Sequence, residues 1–511
     1  MIYVYIQNKK YLKKIQYVFD NVFFNLGLEY KYIYDEVIDI NDEDILVTYS
    51  FNDDEIEFYD LFKNHIDIKD SLKLFNDDYY MKYNVLTNIE IKKVRLYDKY
   101  DLISLFSKEK EVYLNILEDN ENTIYKVNFD VISDIFFMLT RYEEIINYEV
   151  VKNEVHNRFP AVESIAFKNN FLHRPIVNED IDFLWDLIDN FKLGLERKEW
   201  WGKEKFAVCL THDVDMVFKY LKFKKEIRNS ARYLLKEGSL NKSIKNFILF
   251  FKSKLNYKND PYWNIEDILK LEKDKGFKSS FYFMSGGTSK VDNYYDIEDP
   301  RIQNLIKFVE DNGFEAGYHA SFNSYNNFKL MKSEKEKLDT IISSKQYGCR
   351  QHYLRFAPNK TWKQHEQLKL KYDASLGYAD RQGFRCGYCF PFKPYDIVRD
   401  EVLNIWEIPL TIMDVTLAGS NYSNLTVEEG VNEIKQYINT IEKHRGVFNI
   451  LWHNSSFDTL NTLWKLWENV YGEVLEYISC KGVLATSGQE ILRNIQENNE
   501  KIMEEVHEIR I

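Results

Sequence analysis

Asp213 and Asp215 stand two residues apart at the end of the apolar run FAVCLT (206–211), with Thr211 and His212 beside them. In an extended chain alternate residues share a face, so both carboxylates point one way and His212 and Val214 the other. Two carboxylates so placed can divide their work, one holding a metal ion and the other taking a proton. Other chemically able residues also fall at expected strand ends: His319 in FEAGYH, Arg350 and His352 in CRQHYLRF, and His453 after the apolar VFNILW. A single acidic pair is commonly a helix cap or a counter-charge for lysines, and a single such histidine is commonly a satisfied core group. Four strand ends carrying such residues point instead to one working face. Asn323 lies four residues after His319, a spacing that puts both on one side of a helix if the segment is helical.

Those side chains need strands that all end at one rim. From about residue 205 a β/α alternation supplies them. FAVCLT reads as a strand, NIEDILKLEKDKG as a helix stopping at Gly276, and FKSSFYFM as the next strand. RIQNLIKFVEDNG repeats the helix, stopping at Gly313, and FEAGYH follows it. Later strand candidates are YDASLGY, LNIWEIPL, VFNILWH and GVLATS. Alternating strands and helices predict a parallel sheet, open or closed into a barrel, with its chemistry at the C-terminal strand ends. Residues 1–200 read as a separate N-terminal α/β domain, residues 201–495 as the (β/α) domain, and 496–511 as a helical tail. The border falls near LERKEWWGKEK.

The bulk composition bounds the function. The 511 residues exceed one ordinary core, and 45% hydrophobic with 29% charged residues is a globular balance. The formal net charge of −13 disfavours nucleic acid as a partner. Residues 216–258, however, carry twelve Lys or Arg against two Glu, a local +10 that leaves −23 for the rest. They read as two amphipathic helices inserted after Asp215: a solvated lid, or a contact with an anionic substrate or a membrane surface. MIYVYIQNKKYLKK is unlike a signal peptide, no stretch reaches transmembrane length, and five cysteines make no disulfide framework. A soluble cytoplasmic protein is the expectation. Cys386-Gly-Tyr-Cys389 lacks the second pair of a zinc ribbon, and Gly286-Gly287 lacks the Lys-Ser/Thr of a phosphate loop.

The chain resembles the polysaccharide deacetylase superfamily, carbohydrate esterases with a distorted (β/α) barrel. It is most similar to a bacterial branch with an extra N-terminal domain, associated with surface-polysaccharide genes. Thr211-His212-Asp213-Val214-Asp215 stands where that family has Thr-Phe-Asp-Asp-Gly. His319-Ala320-Ser321-Phe322-Asn323 matches His-(Ser/Thr)-x-x-His, and Leu451-Trp452-His453 matches Leu-x-His. FFMLTRYEE, NRFPAVESIAF, RQHYLRF, YDASLGY, GFRCGYCFPF and EIPLTIMD extend the resemblance along the chain. It implies Asp213 as catalytic base, Asp215 and His319 as ligands of a divalent metal, zinc by type, His453 as acid, and Arg350 (rather than Arg355) orienting Asp213. Asn323 replaces the usual second histidine, and an amide is a poorer zinc ligand than imidazole. The third ligand is then Asn323, His352 or Asp213 itself. Tyr378 and Trp452, inside matching segments, are the candidates for substrate contact. The implied reaction removes an N-acetyl group from an amino sugar, nucleotide- or lipid-linked, in a surface-polysaccharide precursor. Its rivals are a non-catalytic glycan-binding or scaffold protein and an O-acetyl esterase.

Overall fold

The computed structural model describes residues 1–34, 40–51, 61–96, 99–107, 111–118, 122–292, 295–461 and 463–509. They form two compact units. The first comprises Met1–Asn153, Glu163–Trp200 and Cys386–Asn404, and the second Glu154–Val162, Trp201–Arg385 and Ile405–Ile511. Two short segments, Glu154–Val162 and Cys386–Asn404, thus belong across a single cut near residue 200. Residues 496–509 continue the helix Gly488–Ile509, while 510 and 511 lie outside the described residues.

In the first unit a six-stranded sheet runs in the order Tyr30–Ile33, Ile2–Ile6, Ile45–Ser50, Asn64–Lys69, Thr123–Val127, Leu114–Glu118. Its pairings are parallel except the last. Ile45–Ser50 is buried along its whole length, as a central strand of a covered parallel sheet must be. The segment Cys386–Asn404 is fastened here by specific bonds. Cys389 N–H donates to Asn178 Oδ1 at 2.9 Å, and the Tyr17 hydroxyl donates to the Lys393 carbonyl at 3.0 Å. Cys386 and Cys389 are both buried and unbridged, and burial pushes the Cys389 thiol well up, away from nucleophilic use.

The second unit is built on a nine-stranded, all-parallel curled sheet. Its order is Trp406–Glu407, Tyr372–Asp373, Gly348–Gln351, Glu315–Ala320, Ser280–Phe283, Phe206–Val214, Val447–Leu451, Ile412–Met413, with Val483–Thr486 also on Phe206–Val214. Both edges of this ladder belong to one extended stretch, 406–413. Ile408 N–H reaches the Asp373 carbonyl at 2.9 Å, and Thr411 N–H reaches Asn449 on the opposite edge at 3.0 Å. The curl brings every C-terminal strand end towards one rim.

The predicted helix–Gly–strand units are both present. Helices Ile265–Lys273 and Pro300–Asp311 are followed by Gly276 and Gly313 at φ 75° and 78°, the left-handed region where a side chain would be strained. Strand Phe206–Val214 outruns its sequence reading by three residues and is buried throughout. Its ladder with Ser280–Phe283 pairs Asp213 with Tyr282, so the strand carries its first carboxylate into the rim. Asp215 lies one residue beyond.

Candidate active site

Asp215 is the hub of the rim. His319 Nε2 lies 3.0 Å from its Oδ1, His352 Nε2 lies 3.6 Å from the same oxygen, and His453 Nε2 lies 3.8 Å from Oδ2. Each imidazole comes from a different strand end. His319 is within Glu315–Ala320, opposite Arg350 in the ladder; His352 follows Gly348–Gln351; His453 follows Val447–Leu451.

The other ring nitrogen of each histidine is occupied. His319 Nδ1 is 2.9 Å from the Arg350 carbonyl, His352 Nδ1 is 2.8 Å from Asp292 Oδ1, and His453 Nδ1 is 2.8 Å from Asp414 Oδ1. Acceptors at Nδ1 fix the proton there and leave Nε2 facing inward. Asp414 is itself held, taking the His453 N–H at 2.8 Å and the Ser456 hydroxyl on its second oxygen. One ligand atom each from Asp215, His319 and His352 lie within 4.8 Å of one another. This is the outer pattern of metal-binding histidines, whose second nitrogen is handed to a carbonyl or carboxylate.

Asp213 is the second carboxylate. It is 3% exposed, its Oδ2 is 3.8 Å from His319 Nε2, and its Oδ1 makes no hydrogen bond among the described residues. A buried carboxylate oxygen without a donor is costly unless a ligand or water meets it. Oδ1 therefore marks a point where a hydrogen-bonding reactant fits. Together Asp213, Asp215, His352, His453, Arg158 and Tyr422 line a cavity of about 220 Å³.

The charges act on one another. Burial alone would raise the Asp215 carboxyl, but the charge at His352, the His319 hydrogen bond and the charge at His453 outweigh it and hold it well below the usual range. Burial opposes protonation of His453, yet the Asp414 charge and hydrogen bond, then Asp215 and Asp213, push it up to about 10. His319 is raised too, against burial, chiefly by Asp213 and Asp215.

Other expected residues lie elsewhere. Asn323 is exposed, and its Nδ2 donates to Thr288 Oγ1 at 3.0 Å; His352 stands beside Asp215 and His319. Arg350 is fully buried and donates from Nη2 to Thr211 Oγ1 at 2.8 Å, making no hydrogen bond to Asp213. Its nearness is electrostatic, since burial would lower the guanidinium and the Asp213 charge raises it. Arg355 instead stacks on Phe322 and Tyr325. Trp452 is 1% exposed, its indole N–H makes no hydrogen bond among the described residues, and it packs against Tyr471; Tyr378 is buried beneath Arg385. Neither reaches the cavity. His212 points away as the alternation requires, stacked on Phe281 and bonded to Glu272 Oε1 at 2.8 Å.

Sequence reasoning missed Asp292, Asp414 and Arg158. Asp414 had a signal, being the first residue after the strand Ile412–Met413, in the same strand-end position as the others. Asp292 and Arg158 had none, because loops bring them in from outside the alternation. A second cluster, Cys349, His365 and Asp373, is wholly buried on the other face of Gly348–Gln351. There Asp373 Oδ1 is occupied by Ser375 and Gln351 Nε2 meets His365 Nε2 at 2.8 Å.

A family of unknown function, DUF7033, matches residues 2–192, which end before the first rim strand. No curated protein matches the chain. Among solved structures, a candidate polysaccharide deacetylase from Mycobacterium smegmatis is similar at 13% identity and a TM-score of 0.39, covering 59% of this chain and 93% of its own. The carbohydrate deacetylase Agd3 is similar at 9% identity and a TM-score of 0.32, covering 97% of this chain and 87% of its own. Both likenesses lie below the level that establishes a shared fold.

Proposed function

We propose that this protein is a metal-dependent hydrolase that removes an N-acetyl group from an amino sugar, with its second unit a distorted (β/α) barrel of the polysaccharide deacetylase type. The observation that carries the reading is the convergence of three imidazole Nε2 atoms on Asp215, each with its Nδ1 already committed.

Asp215, His319 and His352 would hold a divalent cation, zinc by the nitrogen and oxygen donor set. Two neutral imidazoles and one ionised carboxylate fit such an ion, leaving room for water or substrate. The bound cation would polarise the acetamide carbonyl and lower the pKa of water beside it.

The chain's own residues then handle the protons. Asp213 Oδ1, unbonded, accepts the proton of the water that attacks the carbonyl carbon. His453, held protonated by Asp414, gives its Nε2 proton to the departing sugar nitrogen as the C–N bond breaks. Acetate and a free amine leave. Arg350 places a buried positive charge near Asp213.

The cavity of about 220 Å³ is smaller than the roughly 300–1,000 Å³ of ordinary ligand pockets, so in this reading it takes the acetylated end of the substrate and not an extended glycan. The substrate in this reading is a cytoplasmic glycan precursor, whose anionic nucleotide or lipid carrier meets the basic segment 216–258. Metal analysis of the purified chain beside Asp215→Ala, with acetate release from N-acetylated oligosaccharides, tests it. One equivalent in the wild type, lost in the variant together with acetate release, is expected. A chain that takes up neither zinc nor cobalt and frees no acetate overturns the reading.

A further inference from the structure

The helices Phe223–Leu235 and Leu240–Leu255 pack as a hairpin with polar residues inside. Glu226, Ser230 and Asn246 are buried between them. Asn246 Nδ2 donates to Ser230 Oγ at 2.9 Å, and its Oδ1 accepts from the Tyr220 hydroxyl at 3.2 Å. Tyr233 and Phe250 are buried beside them, while other apolar residues face outward. Phe223, Ile227 and Leu234 on the first helix, and Ile244, Ile248 and Phe251 on the second, are each 45–57% exposed. Their spacings put them in one stripe per helix, and the rings of Phe223 and Phe251 meet at 6.5 Å. A soluble hairpin ordinarily has the opposite polarity. So large an apolar surface left outward marks a docking site.

The charges say what docks. Lys222, Lys224, Lys225, Arg228, Lys245 and Lys252 are exposed and make no ion pair among the described residues. A second copy of this hairpin would bring these six exposed cations against the same six. A soluble anion would satisfy the lysines and leave the phenylalanines in water. An anionic lipid surface satisfies both, as interfacial helices do.

We propose that this hairpin lies in the headgroup region of an anionic bilayer, its Phe/Ile/Leu stripes immersed and its lysines on lipid phosphates. Neither helix is long and apolar enough to cross a membrane. The feet of the hairpin connect docking to the rim. Lys219 Nζ bonds Asp458 at 2.6 Å, Asp260 accepts Lys219 and Tyr220 N–H at 2.8 and 3.0 Å, and Asn454 Nδ2 bonds the Met216 and Tyr262 carbonyls at 2.8 and 2.9 Å. Asn454 is next to His453. A bilayer-docked hairpin therefore presents the rim to a lipid-carried substrate. The docking itself goes beyond the hydrolase reading and stands without it.

Co-sedimentation of the full chain with phosphatidylglycerol-containing vesicles, against pure phosphatidylcholine, tests this. Binding to the anionic vesicles about tenfold stronger, and weakening in raised salt, is expected. The triple variant Phe223→Ser/Ile248→Ser/Phe251→Ser should lose that binding with an unchanged melting temperature, while the same positions as Leu should retain it. Asp213→Asn should bind like the wild type, which separates failure here from failure of the catalytic reading. Equal or absent sedimentation with the two vesicle types overturns the proposal. So does a wild-type dimer that the serine variant dissolves with no vesicle binding, or binding of inorganic pyrophosphate alone.

Discussion

Helix Pro300–Asp311 and helix Phe223–Leu235 have the same kind of periodicity and opposite orientation. The first buries Ile302, Leu305, Ile306 and Val309 against the curled sheet and turns its charges outward. The second buries Glu226, Ser230 and Tyr233 and turns Phe223, Ile227 and Leu234 outward. A helix beside a sheet gains by covering apolar strand faces. The helix Phe223–Leu235 packs chiefly on its twin, and the contact between them is largely polar. The difference separates a helix that covers the site's sheet from one that leaves its apolar stripe in solvent.

The largest expected effect divides these roles. Asp213→Asn should lower acetate release by about 10²–10⁴-fold, as loss of a general base does, with metal content and vesicle binding unchanged. An equal drop from a hairpin substitution on a soluble oligosaccharide would break the division. Next, Ile306→Ala should cost about 2–5 kcal/mol in denaturant unfolding, because it opens a cavity under the sheet. Asp292→Asn should weaken zinc binding by about 10–100-fold by freeing His352 Nδ1, read by competition with a chelating dye. The smallest effect belongs to Ile248→Ser, within about 0.5 kcal/mol of wild-type stability, since its side chain is already half in water. A cost as large as that of Ile306→Ala would mean that the outward stripe is covered in solution.

Much of the site was legible because strand alternation and strand ends are local properties. A spacing of two, with Val214 between them, places Asp213 and Asp215 on one face of an extended chain, and the same alternation sends His212 into the core, where it meets Glu272. His319, His352 and His453 could be named because each falls at an expected strand end, His453 after the apolar run VFNILW. The misplacements share one cause. Trp452 and Tyr378 sit in the right segments, but one residue of alternation turns a side chain from the cavity into the packing behind it. Asp292 and Arg158 arrive through loops, and no period marks which loop residue will reach a given imidazole.

The sequence alone determined the repeating β/α order, the two left-handed glycine stops, the carboxylates and imidazoles at strand ends, and the presence of an apolar stripe on each inserted helix. These follow from backbone stereochemistry and residue spacing, which a linear chain already contains. The tertiary structure decided which imidazole joins Asp215 and His319, which carbonyl or carboxylate holds each ring, and which way the hairpin stripes face. Those outcomes depend on what each surface meets after the sheet curls. Distances between residues far apart in the chain, such as Asp215 and His352, exist only once the strands that carry them are joined in one sheet.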